Sequence, residues 1–139
     1  MISFRLIPGE NIHCIVPLLQ VLDDSFSTET LESRLDEMLD LGYQCVGIYD
    51  DDRLIGVSGL WILSKYYIGK HIEPDNVILL SEYQGQGIGR KLMAWIYDYG
   101  KSLGCRASEL NCYIANEDGQ RFWESEGFKA IGLHYQKKF

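Results

Sequence analysis

Residues 81 to 99, SEYQGQGIGRKLMAWIYDY, set Gly85, Gly87 and Gly89 at alternate positions just ahead of a helical pattern. Glycine loses more backbone freedom on folding than any other residue, so three at a helix mouth require a reason. The chemistry available there is anion binding. The first N–H groups of a helix have no partner inside it and the helix dipole adds partial positive charge. Glycine then lets phosphate oxygens approach the main chain with no Cβ in the way. Spacing argues against two versions of that chemistry. A dinucleotide fingerprint needs GxGxxG early in a βαβ unit with an acidic residue about 20 positions on, whereas this is GxGxG late in the chain. The nucleotide-hydrolase pattern GxxxxGK[ST] fails because Trp95 stands where its first glycine belongs, and the GKS at 100 to 102 lies at the far end of the helix. A tight strand-to-helix turn that binds nothing is the remaining alternative.

The loop must be held by a strand before it and a helix behind it. NVILLS is a short apolar run suited to a buried strand, and Ile88, Leu92, Ile96, Tyr99 and Leu103 recur at helical spacing before Gly104. Upstream, ISFRLI predicts an opening strand. Ile15, Leu18, Leu19 and Leu22 predict a helix that starts late or kinks at Pro17. A second helix is predicted from Thr28 to Leu41, capped by Ser27 or Thr28 and stopped by Gly42. QCVGIYDDDRLIGVSGLWIL predicts a hairpin, and SKYYIGKHIEPDN a linker or lip. RASELNCYI predicts a strand, Asn116 or Asp118 caps a short helix through Ser125, and FKAIGLHYQKKF predicts one or two closing strands.

The chain has 139 residues, 46% of them hydrophobic, which is enough for one core and too few for two, so one domain over 1–139 is expected. No long apolar run or leader pattern is present, which predicts a soluble, cytoplasmic protein and no membrane partner. The net charge of −7 argues against nucleic acid. No metal is expected: Asp50–Asp52 lacks the spacing of a calcium loop, and the three histidines and four cysteines are scattered, the cysteines reading as buried free thiols.

The run Gln84-Gly85-Gln86-Gly87-Ile88-Gly89 resembles the pyrophosphate loop of the GCN5-related N-acetyltransferase (GNAT) superfamily, Q/R-x-x-G-x-G/A, with Gln84, Gly87 and Gly89 in its fixed places. ANEDGQRFWESEGF, residues 115 to 128, resembles that family's later segment through Ala115, Asn116, Phe122, Gly127 and Phe128. The resemblance spans nearly the whole chain. It implies an α/β (α+β) fold with a mixed, mostly antiparallel twisted sheet flanked by helices, in the order β-α-α-β-β-β-α-β-α-β, with or without one more strand. It further implies acetyl-CoA as cosubstrate, with no metal, and direct acetyl transfer to a primary amine of a small molecule or peptide. Main-chain groups of Gly85, Gln86, Gly87, Ile88, Gly89 and Arg90, with Gln84, would hold the pyrophosphate. Ile78, Leu79 and Leu80 would pair with the pantetheine arm, and Asn116 and Trp123 would lie along the cofactor. Family habit puts a carboxylate base at Glu73 or Asp75, and a homodimer would also fit it.

The chain departs from the family at one chemical position. Trp123 stands where many members carry a tyrosine, and an indole N–H is no general acid at ordinary pH. Tyr113 or another tyrosine, water, or departure as the free thiolate would have to serve. The same departure leaves open a non-catalytic acyl-CoA binding or sensing module. Tyr66, Tyr67, Glu73 and Asp75 are candidates to line an acceptor site favouring cations.

Overall fold

The computed structural model describes residues 1–139. Strand β1 (Ile2–Leu6) leads through a 3-10 turn, Gly9–Ile15, into helix α1 (Val16–Leu22). Pro17 falls in the first turn of α1, where its missing N–H has no helical acceptor to lose, so the helix starts late and does not kink. Helix α2 (Thr28–Asp40) begins at Ser27, whose hydroxyl oxygen accepts the Thr30 N–H at 3.1 Å. Strands β2 (Gln44–Asp50), β3 (Arg53–Lys65) and β4 (Gly69–Leu79) follow as successive antiparallel hairpins. Helix α3 (Ile88–Ser102), a two-residue β5 (Ala107–Ser108) and helix α4 (Glu117–Ser125) complete the set. The sheet order is β1-β2-β3-β4-β5, antiparallel except between β4 and β5.

Alternation along the strands supplies two cores. Cys45, Val57 and Ile78 pack on one face with Ile12, Ile15, Leu31 and Leu35. Val46, Ile48, Ile55, Leu60 and Ile72 pack on the other with Ile88, Leu92, Met93 and Ile96. Each such side chain contributes roughly 1.5–3 kcal/mol on leaving water, so the sheet is clamped from both sides and its far edge is free to diverge.

Four expectations change. The segment read as a lip is a hairpin arm: β3 runs on to Lys65 and β4 starts at Gly69, because only the turn over 66–68, which Gly69 (φ 76°) receives, separates two extended runs. The RASELNCYI strand shrinks to Ala107–Ser108. Residues after Phe128 form no strand, since the edge beside them offers only those two residues for pairing, and Ile131, Leu133 and Tyr135 are exposed. Of the four free cysteines only Cys45 is buried, and Cys14 is exposed.

One irregularity matters for the site. Between Val57 and Gly59 on β3, β4 carries an extra residue, a bulge at which Asn76 takes φ 39°. The Asp75 carboxylate accepts the Asn76 N–H at 2.8 Å, and the buried Tyr43 hydroxyl donates to Asn76 Oδ1 at 3.0 Å. A Cβ on Gly59 would stand 2.4 Å from that same Oδ1 and 2.5 Å from the Tyr43 ring. Gly59→Ala should therefore cost about 1–3 kcal/mol and lower the thermal midpoint by roughly 4–12 °C, measured by calorimetry; an unchanged midpoint would mean the bulge tolerates the methyl group.

The 3-10 turn is tied to α2 by His13, which lies 2.7 Å from Asp36 and 3.2 Å from Glu32. The hydrogen bond to Asp36, with smaller charge contributions from Asp36 and Glu32, raises the imidazole above its ordinary value. A raised group stabilises fully below its unfolded value and loses that contribution as pH climbs through the folded one. Thermal stability should thus drop slightly in the wild type as pH rises through the folded value of His13, and His13→Ala should remove that drop.

Candidate active site

At the end of β4 the Gln84 side-chain amide donates to the Leu79 carbonyl at 2.9 Å and ties the loop to the strand. Gly85 (φ 77°) and Gly87 (φ 80°) hold left-handed backbone, and a Cβ on either would meet nothing within 4 Å. Conformation demands glycine at both, and the space in front of them is open. Gly87 is the N-cap of α3 and no side chain caps it. The first helical bond, Lys91 N–H to the Gly87 carbonyl at 3.3 Å, leaves the N–H groups of Ile88, Gly89 and Arg90 without helical acceptors. Gly89 has a different reason: its Cβ would lie 3.2 Å from the Phe122 ring, so it lets α4 approach α3.

Side chains contribute less charge here than the sequence offers. The Arg90 guanidinium lies 3.6 Å from Glu126, a carboxylate only 8% exposed that also accepts the Tyr97 hydroxyl at 3.0 Å. Burial first, and then that carboxylate, push the Tyr97 phenol up to about 12. The Gln86 amide donates to the Glu82 carbonyl at 3.3 Å. Ile78 is buried and Leu79 and Leu80 half-buried, with the Leu80 N–H held by the Ile55 carbonyl at 3.0 Å.

A cavity of about 1260 Å³ opens where β4 parts from the chain after β5. Pairing stops at Ile72 and Ser108, where the Ile72 carbonyl accepts the Glu109 N–H at 3.2 Å and the Ser108 hydroxyl at 2.9 Å. Pro74 follows. It keeps its register with Leu60 of β3, so its missing N–H belongs to the other edge, and no ladder can continue there. Tyr67, Glu73, Tyr97, Glu109 and Trp123 line the cavity. Behind Glu73 lies His71, fully buried, with Nε2 3.0 Å from the Glu73 carboxylate.

Glu73 and Trp123 are thus brought to one cavity, while three other candidate side chains lie outside its lining. Asp75 accepts the Trp61 indole N–H at 3.0 Å with one oxygen and the Asn76 N–H with the other, which fixes the bulge. Tyr113 is 87% exposed and outside the cavity lining. Asn116 caps α4 by accepting the Gly119 N–H at 2.9 Å. His71 and Glu109 were missed. Read as one strand, His71 and Glu73 stand two residues apart and share a face; reading the segment as a lip concealed that. Because a Cβ at Gly87 would meet nothing within 4 Å, Gly87→Ala should cost about 1–2 kcal/mol through backbone strain alone, with the denaturant m-value unchanged; a variant as stable as wild type would contradict the left-handed cap.

A family model, the acetyltransferase (GNAT) family, matches residues 15–128. Glucosamine 6-phosphate N-acetyltransferase of Arabidopsis thaliana is 26% identical over 121 residues, covering 77% of this chain and 79% of that protein. Aminoalkylphosphonate N-acetyltransferase of Salmonella typhimurium is 31% identical over 65 residues, 47% of this chain and 42% of the other. Among solved structures, the aminoglycoside N-acetyltransferase AAC(6')-Iy in complex with CoA aligns with a TM-score of 0.83 at 17% identity, covering 100% of this chain and 96% of that one. Ribosomal-protein-alanine N-acetyltransferase from Brucella melitensis aligns at 0.82 and 20% identity, covering 100% and 99%. These likenesses carry the fold, including the mixed sheet order, and the match over residues 15–128 carries the family: the chain belongs to the acetyltransferase (GNAT) family.

Proposed function

We propose that this protein is an acetyl-CoA-dependent N-acetyltransferase that moves the acetyl group directly from the thioester to a primary amine. The observation that carries the reading is the array of unbonded N–H groups at the start of α3, opened by Gly85 and Gly87 beside the free edge of β4. Main-chain donors of Gln86 to Arg90 suit a pyrophosphate. Groups of Ile78 and Leu79 that β3 and Gln84 leave free would pair with the pantetheine arm, whereas Leu80 has its N–H on the Ile55 carbonyl and its carbonyl on the Tyr83 N–H. The Arg90 side chain, already paired with Glu126, takes the lesser part.

Attack on a thioester needs a neutral amine, and an acceptor amine in water arrives mostly as ammonium. Glu73, on the cavity wall, is the base that takes that proton. The nitrogen lone pair then forms the C–N bond, and a backbone N–H near Leu79 stabilises the carbonyl oxygen as it gains charge. Collapse breaks the C–S bond, the electron pair leaves with sulfur, and the acylated nitrogen gives its second proton to solvent water. The exposure of Tyr113 favours release as the thiolate, whose conjugate thiol ionises near about 8.5, with Trp123 as an apolar wall. The acceptor is a small-molecule or peptide amine.

Calorimetric titration with acetyl-CoA tests the reading: saturable binding should vanish in a Gly87→Glu, Gly89→Glu double variant. Thiol release with a panel of amines should follow, with Glu73→Gln lowering kcat by on the order of 10²–10⁴-fold. Absence of binding in the wild type would overturn the proposal, and binding without turnover on any amine would mark an acyl-CoA sensor instead.

A further inference from the structure

His71 has no room for an ordinary neutral imidazole arrangement. The side chain is fully buried, with Nδ1 3.1 Å from the Gly69 carbonyl and Nε2 3.0 Å from Glu73 Oε1 and 3.6 Å from Glu109 Oε1. A carbonyl oxygen only accepts, so Nδ1 carries a proton. If Nε2 did not and both carboxyl groups were ionised, its lone pair would face two carboxylate oxygens with no hydrogen between them, which is repulsive in a site shut off from water. The group therefore holds one proton more than two free carboxylates and a neutral ring would.

The surroundings say where that proton serves best. Glu73 and Glu109 are 18% and 16% exposed, and all three groups present an atom within 4.8 Å of the others. The Tyr67 hydroxyl, from the β3–β4 turn, donates to Glu109 Oε1 at 2.7 Å, and Glu109 Oε2 is buried with no donor. Lys65 of β3, Lys101 of α3, Arg106 ahead of β5 and Lys129 line the same cavity but form no ion pair with the group, and Lys70 is held by the Leu103 carbonyl at 2.5 Å. Two carboxylates this close with no cation between them would share a proton and leave neither free to act as a base.

We propose that His71 is a positioning residue, a doubly protonated imidazole clamped between Glu73 and Glu109, which keeps Glu73 ionised and aimed into the cavity. This rests on Glu73 being the base of the proposed acetyl transfer. When the acceptor ammonium gives its proton to Glu73 Oε2, the Nε2–H of His71 stays on Oε1 and holds the carboxyl group in place. Glu109 is the counter-carboxylate that retains the ring proton, and Tyr67 orients it.

The first test needs no activity. Nitrogen-15 correlation spectra of the wild-type side chains, with His13 and His134 as internal comparators and His71→Gln for assignment, read both ring nitrogens directly. The His71 ring should carry a proton on both nitrogens at neutral pH, and Glu109→Gln should leave one of them bare. A His71 ring with bare Nε2 at neutral pH would overturn the proposal, as would a stoichiometric divalent ion bound there in place of the proton. The second test is kinetic. His71→Gln should lower kcat by on the order of 10²-fold, leave the KM for acetyl-CoA unchanged and move the acid limb of the pH–rate profile toward neutrality. An unchanged acid limb would also overturn it. If no amine is turned over by the wild type, the acetyl-transfer reading falls while the spectra still decide the state of His71.

Discussion

Strand β4 has to be laddered along one edge and bare along the other. Its pairing with β3 runs the length of the strand, from Lys65 opposite Gly69 to Gly56 opposite Leu79, whereas its pairing with β5 ends after Ile72. A strand edge with unpaired N–H and C=O groups is ordinarily a liability. Here it is the wall of a cavity, and everything else in the molecule can be understood as holding that edge open. Pro74 withdraws an N–H, the bulge at Asn76 offsets the strand beyond it, and the two cores grip β4 from both faces so that the opening does not propagate into β3.

The bulge shows how few groups are needed. Asp75 closes a turn on its neighbour's N–H while accepting from Trp61, Tyr43 reaches across from the start of β2, and Gly59 makes way. These contacts come from β3, β4 and the residue just ahead of β2. The loop at α3 is built by the opposite economy, from residues adjacent in the chain, with Gln84 as its one tie back to the strand.

That difference explains what the sequence made legible. The glycine loop, the helix behind it and the α4 cap at Asn116 are local patterns, and local patterns determine their own geometry. Helix α2 was legible for the same reason, through Ser27 and its apolar spacing. The β3–β4 hairpin was not, because Gly69 and Pro74 read as breakers when the partner strand is unknown; both sit where a hairpin and a free edge admit them. His71 and Glu109 are 38 positions apart by number, and only the parallel contact of β4 with β5 brings them together. Asp75 and Tyr113 illustrate the converse: the residue types suit catalysis, but fold position gives Asp75 to the bulge and turns Tyr113 to solvent.

The conformation at Gly85 and Gly87 has a bearing on how this surface would vary among descendants of the sequence. Its donors belong to the main chain, while Gln86 and Arg90 point their polar groups at Glu82 and Glu126. The information in the loop is therefore carried by two torsion angles more than by any side-chain identity. Drift at positions 86 and 90 would leave its shape unstrained, whereas one methyl group at 85 or 87 would strain it.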